Sequence, residues 1–306
     1  MASIAPVSFK LYHDDFHAFS QALGASFTRY GFAIVADHDI DPKGIDQALA
    51  DAKAFFALPE KTKQSYISGV GGQRGYVPFG KETAKGATLY DLKEFWHVGR
   101  DLVPAHRFAG LMPPNVWPKE VSGFRCSQTW LFEAFDGLGA RILEAIAHYL
   151  TLPRDQFSAS LVEGNSILRL LHYPPIAEGS EHLRAAAHED INTITLLLGA
   201  EEAGLEILDR DGSWLPINAP PGAVVCNIGE MLSRAVCGRL PSTTHRVVNP
   251  PPERRGVARY SMPFFLHFAP DYVIAPLLAG NPGTKALPPI LAHDFLEERL
   301  REIKLL

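Results

Sequence analysis

Three residues in this sequence have the types and spacing needed to bind a transition metal. His188 and Asp190 stand two positions apart at the start of a predicted strand that runs into Ile194–Leu198. Side chains two positions apart on a strand point to the same side. His245 opens another β-rich segment. Two imidazoles and one carboxylate on one face are the ligand set of non-haem Fe(II) centres, which leave other positions on the metal open. These three residues are therefore the candidates for a metal site.

The same pattern also has a structural interpretation. The chain has 12 histidines, and His-x-Asp occurs a second time at His13–Asp15. There it begins a predicted helix, where an Asp near the N-terminus has a capping role. For His188 and Asp190 the alternative is a pair of exposed polar residues where a strand begins, and their spacing alone leaves both interpretations open.

A possible anion-binding pair follows His245. Arg259 and Ser261 lie in another predicted strand and share one of its faces. Arginine offers a planar fork that matches a carboxylate, and serine adds one hydroxyl donor. A metal site followed by such a pair suits the binding of a 2-oxo acid to the metal. The alternative for Arg259 is a surface ion pair.

These residues fall in a part of the chain rich in short predicted strands, which follows a part rich in predicted helices. Apolar spacing predicts amphipathic helices over residues 13–30, 42–58, 124–150 and 294–305. Strands are predicted at Gly31–Val35, in pieces between Arg74 and Arg100, and at Ile167–Leu171, Ile194–Leu198, Leu205–Leu208, Ala223–Asn227, His245–Val248 and Tyr260–His267. Several short strands suggest a sandwich or barrel, of which the jelly roll commonly holds a metal.

Composition narrows the range of partners. The 306 residues are 46% hydrophobic and 21% charged, with a formal charge of −5, which gives no electrostatic reason to expect nucleic acid or an anionic membrane as partner. No apolar run is long enough to span a bilayer, and the N-terminus does not resemble a secretory signal. Three cysteines without C-x-x-C spacing argue against a disulfide framework or a structural zinc site, so we expect a cytoplasmic protein.

An ordered set of motifs resembles a known family. The motifs are Arg29–Phe32, Phe55–Pro59, Arg74–Tyr76, Lys93–Phe95, Leu168–Pro175, His188–Asp190, Gly204–Ile207, Pro221–Gly222, Asn227–Leu232, His245–Val247, Arg259–Phe265 and Arg299–Leu300. Together they cover nearly the whole chain and resemble the isopenicillin N synthase-like branch of the Fe(II)/2-oxoglutarate-dependent oxygenases.

The resemblance implies an α+β fold. We expect a double-stranded β-helix (jelly-roll) core with flanking helices and an N-terminal α/β region. The expected divisions are an N-terminal oxygenase region at 1–110 that packs on the core, a long-helix region at 111–160, the catalytic core at 161–275, and a C-terminal helix at 276–306.

The resemblance also implies roles for the site residues. His188, Asp190 and His245 would bind Fe(II), while Arg259 and Ser261 would hold the distal carboxylate of 2-oxoglutarate. Tyr173 matches a tyrosine that hydrogen-bonds near the co-substrate in relatives, although a packed aromatic is an equal alternative. Asn227 is expected to have a structural role.

The function implied is a 2-oxoglutarate-dependent dioxygenase that uses O2 to hydroxylate, desaturate or cyclise a small molecule, releasing succinate and CO2. One alternative is an oxidase like isopenicillin N synthase, in which Arg259 holds the substrate's own carboxylate and 2-oxoglutarate is not used. Another is a jelly-roll protein that binds a metal or an organic acid without turnover. The sequence sets neither the substrate nor the oligomeric state. Phe79, Phe95, Trp96, Phe265 and His267 are candidates for the pocket wall, but core packing is the expectation for most of them.

Overall fold

Two β-sheets and one long helix form the centre of the molecule in the computed structural model, which describes residues 3–69, 72–81, 90–176, 184–198, 204–278 and 287–302. The helices are α1 Lys10–Asp14, α2 Phe16–Tyr30, α3 Pro42–Phe56, α4 Glu60–Gln64, α5 Phe124–Tyr149, α6 Ser158–Leu161, α7 Glu230–Ala235 and α8 Ala292–Glu302, with a 3-10 turn at Pro252–Arg254.

The strands are short and mostly lie in the second half of the chain. They are β1 Pro6–Ser8, β2 Phe32–Ala36, β3 Gly75–Val77, β4 Glu94–Gly99, β5 Ile167–Tyr173, β6 Ala185–His188, β7 Ile194–Leu198, β8 Leu205–Leu208, β9 Trp214–Pro216, β10 Val224–Ile228, β11 His245–Val247, β12 Arg259–Ser261, β13 Pro263–Leu266, β14 Val273–Ile274 and β15 Ile290–Leu291.

The larger sheet joins strands from both ends of the chain. Its nine strands run in the order β1-β2-β10-β7-β13-β5-β4-β3, with β12 also paired to β5. The smaller sheet has the order β6-β11-β8-β9, and β14 pairs with β15. Strands β1 to β4 therefore extend the sheet that contains the central strands of the predicted catalytic core.

Alternation along the strands gives the larger sheet two distinct faces. In β7, Ile194, Leu196 and Leu198 pack into the main hydrophobic core, which also contains the buried side of α5. Thr195 points to the opposite face, towards the smaller sheet. The 26-residue helix α5 carries an apolar stripe, as its sequence predicts. This stripe packs against the core side of the larger sheet.

The opposite face packs against the smaller sheet. Phe32, Ile34 and Val225 of the larger sheet form a second buried cluster with Ile207 and Leu215 of the smaller sheet. Two sheets, antiparallel except for the parallel pair β1 and β2, face each other across an apolar layer and confirm the predicted jelly-roll core with flanking helices.

Several predicted elements match closely, and others differ. Strands Ile194–Leu198 and Leu205–Leu208 have the predicted bounds. The predicted helix 13–30 is two helices, because Asp15 adopts φ −150° and caps α2 by accepting a hydrogen bond from the Ala18 amide at 2.9 Å. The predicted strand Tyr260–His267 is likewise divided into β12 and β13. The short elements β6, β9 and α7 are additions to the sequence-based expectation.

No helix in the described part of the chain is both long enough and apolar enough to cross a bilayer.

Phe264 offers a test of how the larger sheet is held to α5. Its side chain is fully buried between Phe132 and Phe135, with ring centroids 5.0 and 5.8 Å away. We expect Phe264→Ala to lower the free energy of unfolding by about 3–5 kcal/mol, because it removes an aromatic ring and leaves a cavity. Urea denaturation of the metal-free protein measures this. Val162→Ala is the control, since Val162 is 70% exposed; equal losses in both variants would contradict the account.

Candidate active site

The predicted metal ligands lie together where the smaller sheet meets the larger one. His188 ends β6 and His245 begins β11, and these two residues pair directly across the antiparallel strands. Asp190 Oδ1 lies 3.8 Å from His188 Nε2, and its Oδ2 lies 3.9 Å from His245 Nε2. One ligand atom from each residue falls within 4.8 Å of the others, as a shared metal ion requires.

The reason inferred from the sequence for this proximity needs correction. His188 is the last residue of a strand rather than the first, and Asp190 lies beyond its end, before β7 begins. Alternation along one strand therefore does not align the two side chains. Residues of the larger sheet hold Asp190 instead, and the chain joins that sheet four residues later, at the start of β7.

Hydrogen bonds from the larger sheet fix the Asp190 carboxylate. Thr195 Oγ1 donates to Asp190 Oδ2 at 2.6 Å, and Asn227 Nδ2 donates to the same oxygen at 2.8 Å. Burial acts to raise the pKa of Asp190, but the neighbouring His245 and His188 and the two hydrogen bonds outweigh it, so the pKa is lowered. The carboxyl group is thus ionised and oriented. Asn227, for which a structural role is expected, thus lies next to the candidate metal ligand and helps to orient it.

Backbone carbonyl groups orient both imidazoles. His188 Nδ1 lies 2.8 Å from the Ala186 carbonyl oxygen, and His245 Nδ1 lies 3.1 Å from that of Thr243. With Nδ1–H donating, each neutral ring keeps the Nε2 lone pair for a metal. Loss of hydration lowers the pKa of His188 to about 4, and His245 contributes to this lowering. A neutral imidazole facing an ionised carboxylate fits a divalent metal, and the burial of Asp190 and His245 argues against the alternative of exposed polar residues.

The predicted anion-binding pair lies on the same face of the larger sheet as Thr195. Arg259 and Ser261 are 2% and 6% exposed on β12, so a surface ion pair is the wrong interpretation for Arg259. Tyr173 stands opposite Arg259 in the sheet register, and the guanidinium carbon lies 5.1 Å from the centre of its ring. The Tyr173 ring therefore packs against the guanidinium group.

Two polar residues on the same face are not identified by the sequence patterns. Arg169 of β5 donates from Nε to His97 Nε2 of β4 at 2.6 Å. The available signal is an arginine within the apolar run Ile167–Leu171, which by itself predicts only a strand. Trp96, one of the pocket candidates for most of which core packing is expected, points to the other face and packs in the main core. His267 is buried, and burial lowers its pKa to about 4.

Comparisons with known proteins place this geometry in a family. Residues 164–268 match the 2OG-Fe(II) oxygenase superfamily, and residues 4–120 match the N-terminal domain described as non-haem dioxygenase in morphine synthesis. A 2-oxoglutarate-Fe(II) type oxidoreductase of Aspergillus fumigatus is 32% identical over 289 residues, covering 89% of this chain and 83% of the relative.

Solved structures agree with this assignment. A 2OG-Fe(II) oxygenase family protein from Caulobacter crescentus is 59% identical, with a TM-score of 0.93 over 99% of this chain and 100% of that one. A Neurospora crassa protein solved in complex with alpha-KG is 25% identical, with a TM-score of 0.87 over 97% of this chain and 95% of that one. The chain belongs to the 2OG-Fe(II) oxygenase superfamily. It is a non-haem oxygenase that uses Fe(II), 2-oxoglutarate and O2.

Thr195 provides a test of how the carboxylate is positioned. Thr195→Val keeps the shape of the side chain but removes the hydrogen bond to Asp190, so we expect Fe(II) affinity to fall roughly 10- to 100-fold. Anaerobic metal titration measures the affinity. The matched control is Thr193→Val, because the buried Thr193 hydroxyl has no hydrogen-bond partner among the described residues. An unchanged affinity in Thr195→Val would show that the bond does not position the ligand.

Proposed function

We propose that this oxygenase oxidises a small organic molecule at a C–H bond, with His188, Asp190 and His245 as the Fe(II) ligands. The observation that carries the proposal is the convergence of two imidazole nitrogens and one carboxylate within 4.8 Å. When bound, Fe(II) together with 2-oxoglutarate and O2 supplies the oxidising chemistry, with succinate and CO2 as co-products. The protein supplies the ligand geometry and the orientation of both substrates.

Arg259 and Ser261 would hold the distal carboxylate of 2-oxoglutarate. The guanidinium group is buried, and the low dielectric of the interior strengthens its attraction for a carboxylate. Its plane can offer two parallel N–H donors, while the Ser261 hydroxyl adds another from the same face of β12. Tyr173 would restrict the guanidinium position through the ring contact rather than by direct catalysis.

The names of relatives support this function over the two alternatives. An oxidase that does without 2-oxoglutarate and a binding protein without turnover both fit the ligand set. However, several curated relatives of 31–34% identity are named 2-oxoglutarate-dependent dioxygenases. A small-molecule substrate is supported by the structure of the Neurospora crassa protein with alpha-KG and thymine, and by a relative from Petromyces alliaceus named proline hydroxylase.

We also propose a cytoplasmic location. Cys126, Cys226 and Cys237 are all free thiols, and two of them are buried. Unpaired thiols are typical of a reducing compartment, which supports this location.

Arg259→Gln tests the proposed contact with the co-substrate. We expect the KM for 2-oxoglutarate to rise roughly 10- to 150-fold, because the variant loses a charge-assisted hydrogen bond in a buried site. Fe(II) affinity should not change, since Arg259 is not a metal ligand. The decisive comparison uses 2-oxopentanoate, which has the same 2-oxo acid group but no distal carboxylate. The wild type should strongly prefer 2-oxoglutarate, and the variant should lose that preference.

Arg141→Gln is the matched control for this experiment. Arg141 forms an ion pair with Asp39, away from both sheet faces that build the site. We expect Arg141→Gln to keep the wild-type preference. If Arg259→Gln also keeps it, another group binds the distal carboxylate and the assigned role of Arg259 is wrong.

A further inference from the structure

Two buried charged residues, Asp91 and Lys93, lie just before β4 and are not used in the proposed function. They are 6% and 9% exposed. Lys93 Nζ donates to Asp91 Oδ2 at 2.8 Å. The Lys93 amide donates to the Asp91 carbonyl oxygen at 2.9 Å, which closes a tight turn. The ion pair and the turn together fix the Asp91 carboxylate relative to the larger sheet. A buried ion pair is weak evidence for stability, so its other contacts indicate its role.

The second oxygen of Asp91 binds the strand that carries His188. Asp91 Oδ1 accepts a hydrogen bond from the Ala186 amide of β6 at 3.1 Å. Ala186 in turn provides the carbonyl oxygen that lies 2.8 Å from His188 Nδ1. A continuous chain of contacts therefore leads from Lys93, through Asp91 and Ala186, to a proposed metal ligand.

The position and the sequence of β6 explain why this contact matters. The strand lies at the edge of the smaller sheet and consists of three alanines and His188. Alanine is a weak strand former, and the pairing of β6 with β11 is irregular between His245 and Val247. An amide on the outer side of an edge strand has no neighbouring strand to bind. Asp91 supplies the acceptor on that side.

His188 is also the least packed of the three proposed ligands. Its side chain is 39% exposed, against 10% for His245 and 7% for Asp190. The His245 ring packs against Phe32 of the larger sheet, with the centroids 5.4 Å apart, and hydrogen bonds from the same sheet hold Asp190. The orientation of His188 therefore depends more on the backbone of β6 than on side-chain packing.

We propose that Asp91 is a positioning residue for the metal centre. It binds the Ala186 amide and thereby holds the carbonyl group that orients His188, while Lys93 keeps the Asp91 carboxylate in place. The proposal rests on the proposed function, in which His188 is an Fe(II) ligand. Groups that orient a metal-binding histidine change the metal affinity when they are removed. The segment before β4 thus contributes to the iron site, although it supplies no ligand.

Anaerobic Fe(II) titration of Asp91 variants tests this proposal. Asp91→Ala removes the acceptor, and we expect Fe(II) affinity to fall roughly tenfold. Asp91→Asn keeps an oxygen that can accept from the Ala186 amide but loses the ion pair, so its affinity should fall less. If Asp91→Ala does not fold, Ala186→Pro removes the same hydrogen bond from the donor side, because an edge strand tolerates proline where its N–H points away from the sheet.

Asp51→Ala is the matched control. Asp51 is 8% exposed and accepts hydrogen bonds from Gln47 Nε2 at 3.0 Å and from Ser127 Oγ at 2.6 Å, where α3 packs against α5. Urea denaturation of the metal-free proteins should show a loss of stability in both alanine variants, because each leaves buried donors without an acceptor. Fe(II) affinity should fall only in Asp91→Ala.

The Co(II)-loaded protein reports on each imidazole separately. Paramagnetically shifted proton NMR signals arise from the Nδ1–H of each histidine that binds the metal. In Asp91→Ala the His188 Nδ1–H should exchange with water faster than in the wild type, because the Ala186 carbonyl group is no longer held. The His245 Nδ1–H should keep its exchange rate, since Thr243 provides its acceptor.

Three results would overturn the proposal. The first is wild-type Fe(II) affinity in Asp91→Ala or in Ala186→Pro. The second is an equal loss of affinity in Asp91→Asn and Asp91→Ala, which would assign the effect to charge rather than to the bond with Ala186. The third is an equal acceleration of exchange at both imidazoles, which would indicate a general loosening of the site.

Failure of the proposed function is detected separately. A wild-type protein that binds no Fe(II), or a His188→Ala variant with wild-type Fe(II) affinity, would contradict the ligand assignment itself. If both of these controls behave as expected, the Asp91 variants test only the positioning role.

Discussion

The burial of the Asp190 carboxylate is the constraint on which the rest of the site depends. A buried charge is costly unless hydrogen bonds and opposite charge compensate for it. Thr195 and Asn227 provide two hydrogen bonds from adjacent strands of the larger sheet. The neighbouring His245 and His188 also lower the pKa of Asp190, but both imidazoles must be neutral to bind a metal and then leave the carboxylate charge without balance. A divalent cation between the three ligands would provide that balance, so the same desolvation that destabilises the empty site favours metal binding.

Each of the two sheets contributes a different part of this site. The smaller sheet supplies the imidazoles from its paired strands β6 and β11, and the larger sheet supplies the bonds that hold Asp190. The larger sheet also carries Arg259 and Ser261 on the same face. Its other face is anchored by α5 and the apolar core. Asp190 and the co-substrate residues are therefore positioned by the same sheet, and the two imidazoles by the sheet that faces it.

Much of this arrangement follows from sequence patterns, and the reasons for the failures are physical. The period of the apolar residues predicts α5 within one residue, because long amphipathic helices have a strong signal. The types of His188, Asp190 and His245 predict the metal site, but the two-residue spacing does not explain it, since β6 ends at His188. Strands β6 and β9 are not predicted, because β6 is an Ala-Ala-Ala-His segment without β-branched residues or apolar–polar alternation and β9 has only three residues.

The direction in which a side chain faces is harder to predict than secondary structure. Trp96 and Phe95 are neighbours in the sequence, yet Trp96 packs in the main core while Phe95 contacts Arg169 on the site face. A one-residue error in the register of β4 exchanges these roles. The surroundings of Arg169 are not predicted for a similar reason. Its neighbours His97 and Phe265 are distant in the sequence and come close to it only because β4 and β13 both pair with β5.

The most direct test of the central claim is anaerobic titration of the Fe(II)-loaded protein with 2-oxoglutarate, followed by visible absorption. We expect a weak charge-transfer band that saturates with bound 2-oxoglutarate, because a 2-oxo acid chelates an iron that keeps open positions. The band should be absent in His245→Ala, which lacks one of the three ligands. Iron that binds the wild type without a band dependent on 2-oxoglutarate, or a band of the same affinity in His245→Ala, would contradict the assignment of this site.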